Sequence, residues 1–293
     1  MPEYPPVFVD TSIQIARKVH GKETKRSIAD RLKRPRYSVT GEVVKQEFKR
    51  RLLGEAKYLL NLISRFKTIE IVQAWVNNSL PPQLARKRNI CLDMLATIFH
   101  GEGEPDLTDR AKSYLRTLLK HGMDQFEREV DSVVREVGCM CSRVPVIEKK
   151  PYEDYDLGKD RCTKAGSACG VASLLQARQA DASRILADLK ALPEAHKTGE
   201  LRRIEEYLDR YLSDPDRAAE GDPCLKVGDL LIALESAGVA TFYTMNYRES
   251  QVLCRSMGQT LIYRPPNFTR AEVECPISDP DWDSRLAQNQ GRT

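Results

Sequence analysis

Four oxygen-bearing side chains stand where they could work together: Asp10, Glu47, Asp229 and Asn246. Asp10 follows the apolar run Val7-Phe8-Val9. Glu47 lies in the first turns of an expected helix. Asp229 opens the apolar stretch Leu230 to Leu234, and Asn246 follows the β-type run Val239 to Tyr243. If these runs are strands of one parallel sheet, all four residues gather at its carboxyl edge, where such folds place their sites. Carboxylates brought that close repel, by roughly 4 kcal/mol at 4 Å in an effective dielectric of about 20. A hard divalent cation offsets this, and Mg2+ or Mn2+ prefers oxygen ligands. Such an ion supplies an activated water and steadies the charge on a phosphodiester. Each residue also has a purely structural reading. Asp10 and Asp229 suit helix N-caps, Glu47 could pair with Arg51 at i+4, and Asn246 could serve a turn.

These residues need an α/β framework to position them. The stretch from Lys226 to Ser250 reads as helix, glycine stop at Gly238, strand and polar tip. Its counterpart at the other end of the chain is Val7 to Val9, ending in Asp10-Thr11-Ser12. The pattern predicts a helix over Thr11 to Arg34, stopped by Pro35, and a short strand over Tyr37 to Thr40, broken by Gly41. A long helix follows over Glu42 to Phe66, then a strand over the β-branched Lys67 to Val72. Helical periodicity then dominates, over Leu84 to Phe99, Thr108 to Val137, Ala172 to Leu192 and Gly199 to Leu212. Pro145 to Lys164 reads as an acidic loop. Thr260 to Tyr263 is the last expected strand. The expected fold is a Rossmann-like α/β three-layer sandwich with a parallel sheet. Its core comes from residues 1–73 and 222–266, a helical insertion spans 74–221, and a tail spans 267–293.

The charge is uneven. The chain as a whole carries a net +4, yet residues 1–70 carry 16 Lys/Arg against 8 Asp/Glu. The excess concentrates in Arg17, Lys18, Lys22, Lys25, Arg26, Arg31, Lys33, Arg34 and Arg36, opposed only by Glu23 and Asp30. Such a stretch suits a phosphate backbone, and equally a solvated helix face. Apolar runs fall well short of the roughly 20 residues of a membrane span. The N-terminus carries an acid and no basic leader. The expectation is a cytoplasmic protein without a membrane partner.

In order and context these segments resemble the PIN domain, a metal-dependent ribonuclease fold. The matching segments are Val7 to Ser12, Ser38 to Phe48, Gly228 to Ala233 and Tyr243 to Asn246. The resemblance covers roughly residues 5–72 and 222–266. It implies that Asp10, Glu47 and Asp229 hold Mg2+ or Mn2+, with Glu42 an alternative to Glu47 and Asn246 in a fourth position that is often Asp. Thr11 or Ser12, together with Thr244, would support the site by hydrogen bonds. It implies hydrolysis of RNA, with Arg17 to Arg34 on the backbone. Two alternatives stand beside it: a catalytically silent scaffold that binds protein or nucleic acid through the insertion, and a DNA nuclease. The sugar 2′-OH that distinguishes RNA from DNA has no counterpart in the sequence pattern.

A second constellation is Cys139, Cys141, Cys162 and Cys169, four of the eight cysteines. Four thiolates could close a tetrahedral zinc site or hold an iron–sulfur cluster. The spacing lacks paired C-x-x-C knuckles, and a helical region of this size can bury its own thiols. Elemental analysis of the purified protein is therefore expected to find no zinc, with Cys162→Ser and Cys169→Ser nearly neutral. About one zinc per chain, and an insertion loosened by either substitution, would reverse that reading.

Overall fold

A computed structural model describes residues 5–35, 37–66, 68–99, 106–135, 146–150, 154–158, 170–217, 223–265 and 272–275. Its centre is a six-stranded sheet of β1 (Val7–Val9), β2 (Ser38–Gly41), β3 (Ser132–Val134), β6 (Thr241–Thr244), β7 (Thr260–Tyr263) and β8 (Val273–Cys275), in the order β3-β2-β1-β6-β7-β8. All neighbours are parallel except β7 and β8. A separate antiparallel hairpin joins β4 (Ile147–Lys150) and β5 (Asp154–Asp156), inside the stretch expected to be an acidic loop.

The strands are short and apolar because both faces of the sheet are covered. Side chains alternate between those faces. Val7 and Val9 join Tyr243 and Ile262 on one side, against Ile13 and Ala16 of α1 (Thr11–Val19) and Ile28 of α2 (Lys22–Leu32). Phe8 points the other way, stacks on Phe242 at 5.5 Å between ring centroids, and enters the larger core. That core takes in α3 (Glu42–Phe48), α4 (Gly54–Phe66), α5 (Ile69–Ser79), α6 (Ala85–Phe99) and α7 (Leu107–Arg128). It also takes in α8 (Gly170–Ala177), α9 (Gln179–Ala191), α10 (Gly199–Ser213), α12 (Gly228–Glu235) and α13 (Tyr247–Met257). The four-residue α11 (Pro223–Lys226) leads into α12. Three layers result, as a Rossmann-like sandwich requires.

Several sequence expectations give way here. The helix over Thr11 to Arg34 is two helices, because His20 is extended and Gly21 starts α2. Lys67 to Val72 is not a strand. Ile69, Val72 and Val76 bury one face of α5 at helical spacing, so packing overrides their β-branched preference. The helix over Thr108 to Val137 ends at Arg128, and the chain then enters the main sheet as β3. Asp131 makes that turn: its Oδ2 accepts from Ser38 N at 2.6 Å and Ser38 Oγ at 2.8 Å. The stretch expected to be a helical insertion thus supplies an edge strand, and the expected tail supplies β8. The helix over Glu42 to Phe66 is interrupted only by a π turn, Lys49–Leu53. Ala172 to Leu192 breaks into α8 and α9.

One close approach locks the layers together. Glu235, at the end of α12, is buried, and its carboxylate accepts from Val43 N at 3.0 and 3.2 Å. It caps α3, whose own N-cap, Gly41, has no side chain to do so. A methyl group on Gly41 would sit inside contact distance of Glu235 Oε2 and 2.7 Å from Cδ. The carboxylate cannot retreat without uncapping α3. Gly41→Ala is expected to destabilise the protein by about 1–3 kcal/mol, as overpacking does, measured by chemical denaturation. An unchanged midpoint would show that the cap is loose.

Candidate functional site

The sheet order places its switch point between β1 and β6: connections leave β1 toward β2 and β3, and leave β6 toward β7. Asp10 follows β1, and Thr244 ends β6 beside it. Asp10 N donates to Tyr243 O at 3.1 Å, which continues the ladder to the edge. The Asp10 carboxylate is buried and caps α1. Three donors converge on its Oδ2: Ser12 Oγ at 2.7 Å, Thr244 Oγ1 at 2.7 Å and Ser12 N at 3.4 Å. Each hydroxyl gives its one proton to Asp10 and accepts a backbone N–H, Met245 N on Ser12 at 2.8 Å and Asn246 N on Thr244 at 2.8 Å. The two hydroxyls also lie 3.2 Å from each other, so the network ties the Asp10 carboxylate to the ends of both strands. Thr11 is also buried, and its Oγ1 has no partner among the described residues.

Asp229 lies at the second position of α12, not at its N-cap, which is Val227. Asn246 heads α13 without capping it; its Nδ2 donates to Asp229 Oδ2 at 3.2 Å. Glu47 is buried in α3 and forms an ion pair with Arg51 in the π turn. The position a Cβ would take on Gly228 is 3.9 Å from Glu47 Oε1, so Glu47 lies beside the residue preceding Asp229. Glu42 is five positions from Glu47, about 140° around the helix. It is buried at the start of α3.

Electrostatics link the three acids. Burial and then the Glu47 charge push Asp10 up, against the hydrogen bonds from Thr244, Ser12 and Thr11. Burial, Glu47 and Asp10 push Asp229 well above the usual carboxylate range, with Arg86 opposing and Glu200 adding to the rise. Arg86 and Glu200 escaped the sequence reading. Glu200 lies in the first turn of α10, and its carboxyl is raised by burial, with Arg203 and Arg86 opposing and Glu249 and Glu47 contributing. Thr198, the cap of α10, donates to Glu249 Oε1 of α13 at 2.9 Å and holds that helix start near the site. Only tertiary contact joins these residues; no local pattern announces them.

The acids are close enough to repel, yet each is engaged within the protein: Asp10 by hydroxyls, Asp229 by Asn246, Glu47 by Arg51. Among the described residues no three His, Cys, Asp or Glu side chains form a group ready to hold a metal ion. The donor chemistry nonetheless fits a hard divalent cation: the donors are carboxylate oxygens, two buried and one half-buried, and the Glu47 charge acts on both Asp10 and Asp229.

The basic stretch is not one open face. Arg17 donates to Glu129 O at 2.9 Å, and Lys18, buried, binds Gln125 and Glu129. Burial lowers Lys25, as does its neighbour Lys18. Lys22, Arg26, Lys33 and Arg34 are exposed, Arg26 and Lys33 beside Asp30, while Arg31 pairs with Glu274 at 2.8 Å. Arg17 and Lys18 therefore tie α1 to the end of α7 and are not presented to a ligand. Arg36 and the four cysteines Cys139, Cys141, Cys162 and Cys169 lie outside the described residues. Among the described residues no helix is long and apolar enough to cross a membrane.

Fold and site together define an α/β protein with a doubly wound, mostly parallel sheet and mutually repelling acids at its switch point. No family model matches the chain, and no curated protein or solved structure matches it.

A carboxyl whose folded pKa lies above its unfolded value binds its proton more tightly when folded. Its contribution to stability is fully present below the unfolded pKa and declines as pH rises through the raised folded pKa. In EDTA the protein is therefore expected to lose stability from the mildly acidic range upward. Asp229→Asn is expected to flatten that decline and raise Tm at pH 8 by about 2–4 °C, the change that about 1 kcal/mol produces in a large domain. A lower Tm for Asp229→Asn at pH 8 would mean that the acids do not strain one another.

Proposed function

We propose that the protein is a PIN-like, metal-dependent nuclease that hydrolyses phosphodiester bonds, in RNA by preference. The observation that carries this reading is the elevation of buried Asp10 and half-buried Asp229, by loss of water first and then by the Glu47 charge, at the β1–β6 switch point. Repulsion of this kind costs stability, and a cation site is the function that gives it a purpose.

In this reading Asp10, Glu47 and Asp229 hold Mg2+ or Mn2+, and Asn246 orients Asp229. When bound, the ion supplies an activated water and charge stabilisation for the phosphodiester. Ser12 and Thr244 fix Asp10 and oppose the rise that burial and Glu47 impose on it. Arg86, exposed at the start of α6 and within the field of Asp229, is suited to a phosphate oxygen. Lys22, Arg26, Lys33 and Arg34 are exposed, Arg26 and Lys33 beside Asp30, and are suited to more distant phosphates. Backbone contacts of this kind position a strand without reading its bases. The eight cysteines fit a cytoplasmic setting, where thiols stay reduced.

A second reading is a catalytically silent scaffold that binds protein or nucleic acid. It draws on the engagement of Glu47 by Arg51 and the lack of a ready metal group among the described residues. Thermal stability with and without Mn2+ separates the two. Mn2+ is expected to raise the Tm of the wild-type protein and leave Asp10→Asn unmoved, and RNA cleavage should require the ion and vanish in that variant. Thr244→Ala, which loosens Asp10 without removing a ligand, is expected to weaken metal affinity about 10–100-fold. An Mn2+ response that ignores Asp10→Asn, with no cleavage, would leave the scaffold standing.

A further inference from the structure

Two ion pairs mark the α3–α4 helix as it leaves the acids, and the second opens a cluster of side-chain contacts with α5 and α6. Glu47 pairs with Arg51. One turn further on, Glu55 of α4 binds Lys87 of α6 at 2.9 Å. Lys87 Nζ stands 3.8 Å from the centroid of the Tyr58 ring, and Tyr58 OH accepts from Trp75 Nε1 of α5 at 3.4 Å. Trp75 packs on Phe66 at 5.2 Å, and Arg65 lies 5.3 Å from the Phe66 ring.

This strip has three properties that an ordinary satellite of the core lacks. First, it is open: Trp75 is 38% exposed and Ile71, one turn before it, is 50% exposed. Second, three aromatic rings lie between two cations, and Lys87 also pairs with Glu55, the acid at that end of the strip. Third, it adjoins the site, because the first turn of α6 carries both Lys87 and Arg86, the cation that acts on Asp229 and Glu200. From Glu47 to Phe66 the helix covers about 28 Å at 1.5 Å per residue, enough for several nucleotides. Successive bases stack on aromatic faces while cations follow the backbone, and this combination holds single strands without regard to sequence.

We infer that the Tyr58–Phe66–Trp75 face, with Arg65 and Lys87, is the track that carries a single-stranded RNA to the acidic site. This rests on the nuclease reading for its direction, since the acids mark the end at which the strand is cut. It assigns the region between β2 and β3 a substrate-binding role, and it makes Trp75 the outermost stacking platform. Unpaired bases are required, because a paired base has no face to offer.

The test is binding of fluorescein-labelled U12 in EDTA at low salt, read by anisotropy, with cleavage and the Mn2+ thermal shift measured separately. Trp75→Ala is expected to bind U12 about 10-fold more weakly, and Trp75→Phe to recover most of the loss. The dinucleotide UpU, too short to span the track, should not distinguish Trp75→Ala from the wild-type protein. A fully paired duplex of equal length should compete poorly. The Mn2+ shift should be the same with and without Trp75. Equal U12 binding by wild type and Trp75→Ala would overturn the track even if Mn2+-dependent cleavage is found. Loss of binding in Trp75→Ala with no cleavage by any form would retain the track and remove the nuclease. No binding of U12 by the wild-type protein would overturn the track and leave this face to a protein partner.

Discussion

Like charges do not gather in a protein interior by their own attraction, so every element around Asp10, Glu47 and Asp229 has to hold them against repulsion and the loss of water. Asp10 is held by two hydroxyls at 2.7 Å, which in turn accept the backbone N–H groups of Met245 and Asn246. Those hydroxyls come from opposite ends of the chain and meet only because β1 and β6 pair in register. Glu47 is held by a cation one turn ahead, and Asp229 by an amide from the next helix. The sheet order, the two capped helices and the close approach at Gly41 all serve this single requirement.

That requirement explains which parts were legible in the sequence. A buried strand ending in Asp-Thr-Ser, and another ending in Thr-Met-Asn, are local patterns, and the structure brings their ends together. The strand pattern of β7 was equally clear, since Leu261 and Ile262 are buried on both faces. The i+4 relation of Glu47 and Arg51 was visible too, because it depends only on helix geometry. What stayed hidden has one cause in common. β3 and β8 are three residues long, and each is a strand only because an existing edge offers it a ladder. α5 carries β-branched residues whose helical spacing acquires meaning only against α4 and α6. Glu235 lies far in sequence from Val43, which it caps, and Glu200 pairs locally with Arg203 yet acts on Asp229 only through the fold, so nothing local distinguishes either from other acids.

The division into a sheet and a helical insertion also changes character in three dimensions. One hydrophobic core draws on α4 to α10 and on the helices that flank the sheet. The helical region contributes an edge strand, the charge of Arg86 and the acid Glu200. It is therefore better described as a wall of the site than as a module attached to the sheet.

The π turn at Lys49–Leu53 brings this wall and the acids into a fixed relation. A π turn holds more residues than the α-turn it replaces, so the helix passes through it without a break while its downstream face is rotated. Glu47 lies before the turn, and the residues that pack α4 against α6 and α7 lie after it. The two halves of one rod can therefore drift independently in sequence, the first answering to the acids and the second to the core. Loss of a single residue here would change no side chain's chemistry, yet it would turn every residue from Gly54 onward by about 100°. At this point the chain should tolerate exchange of one residue for another far better than any change in length.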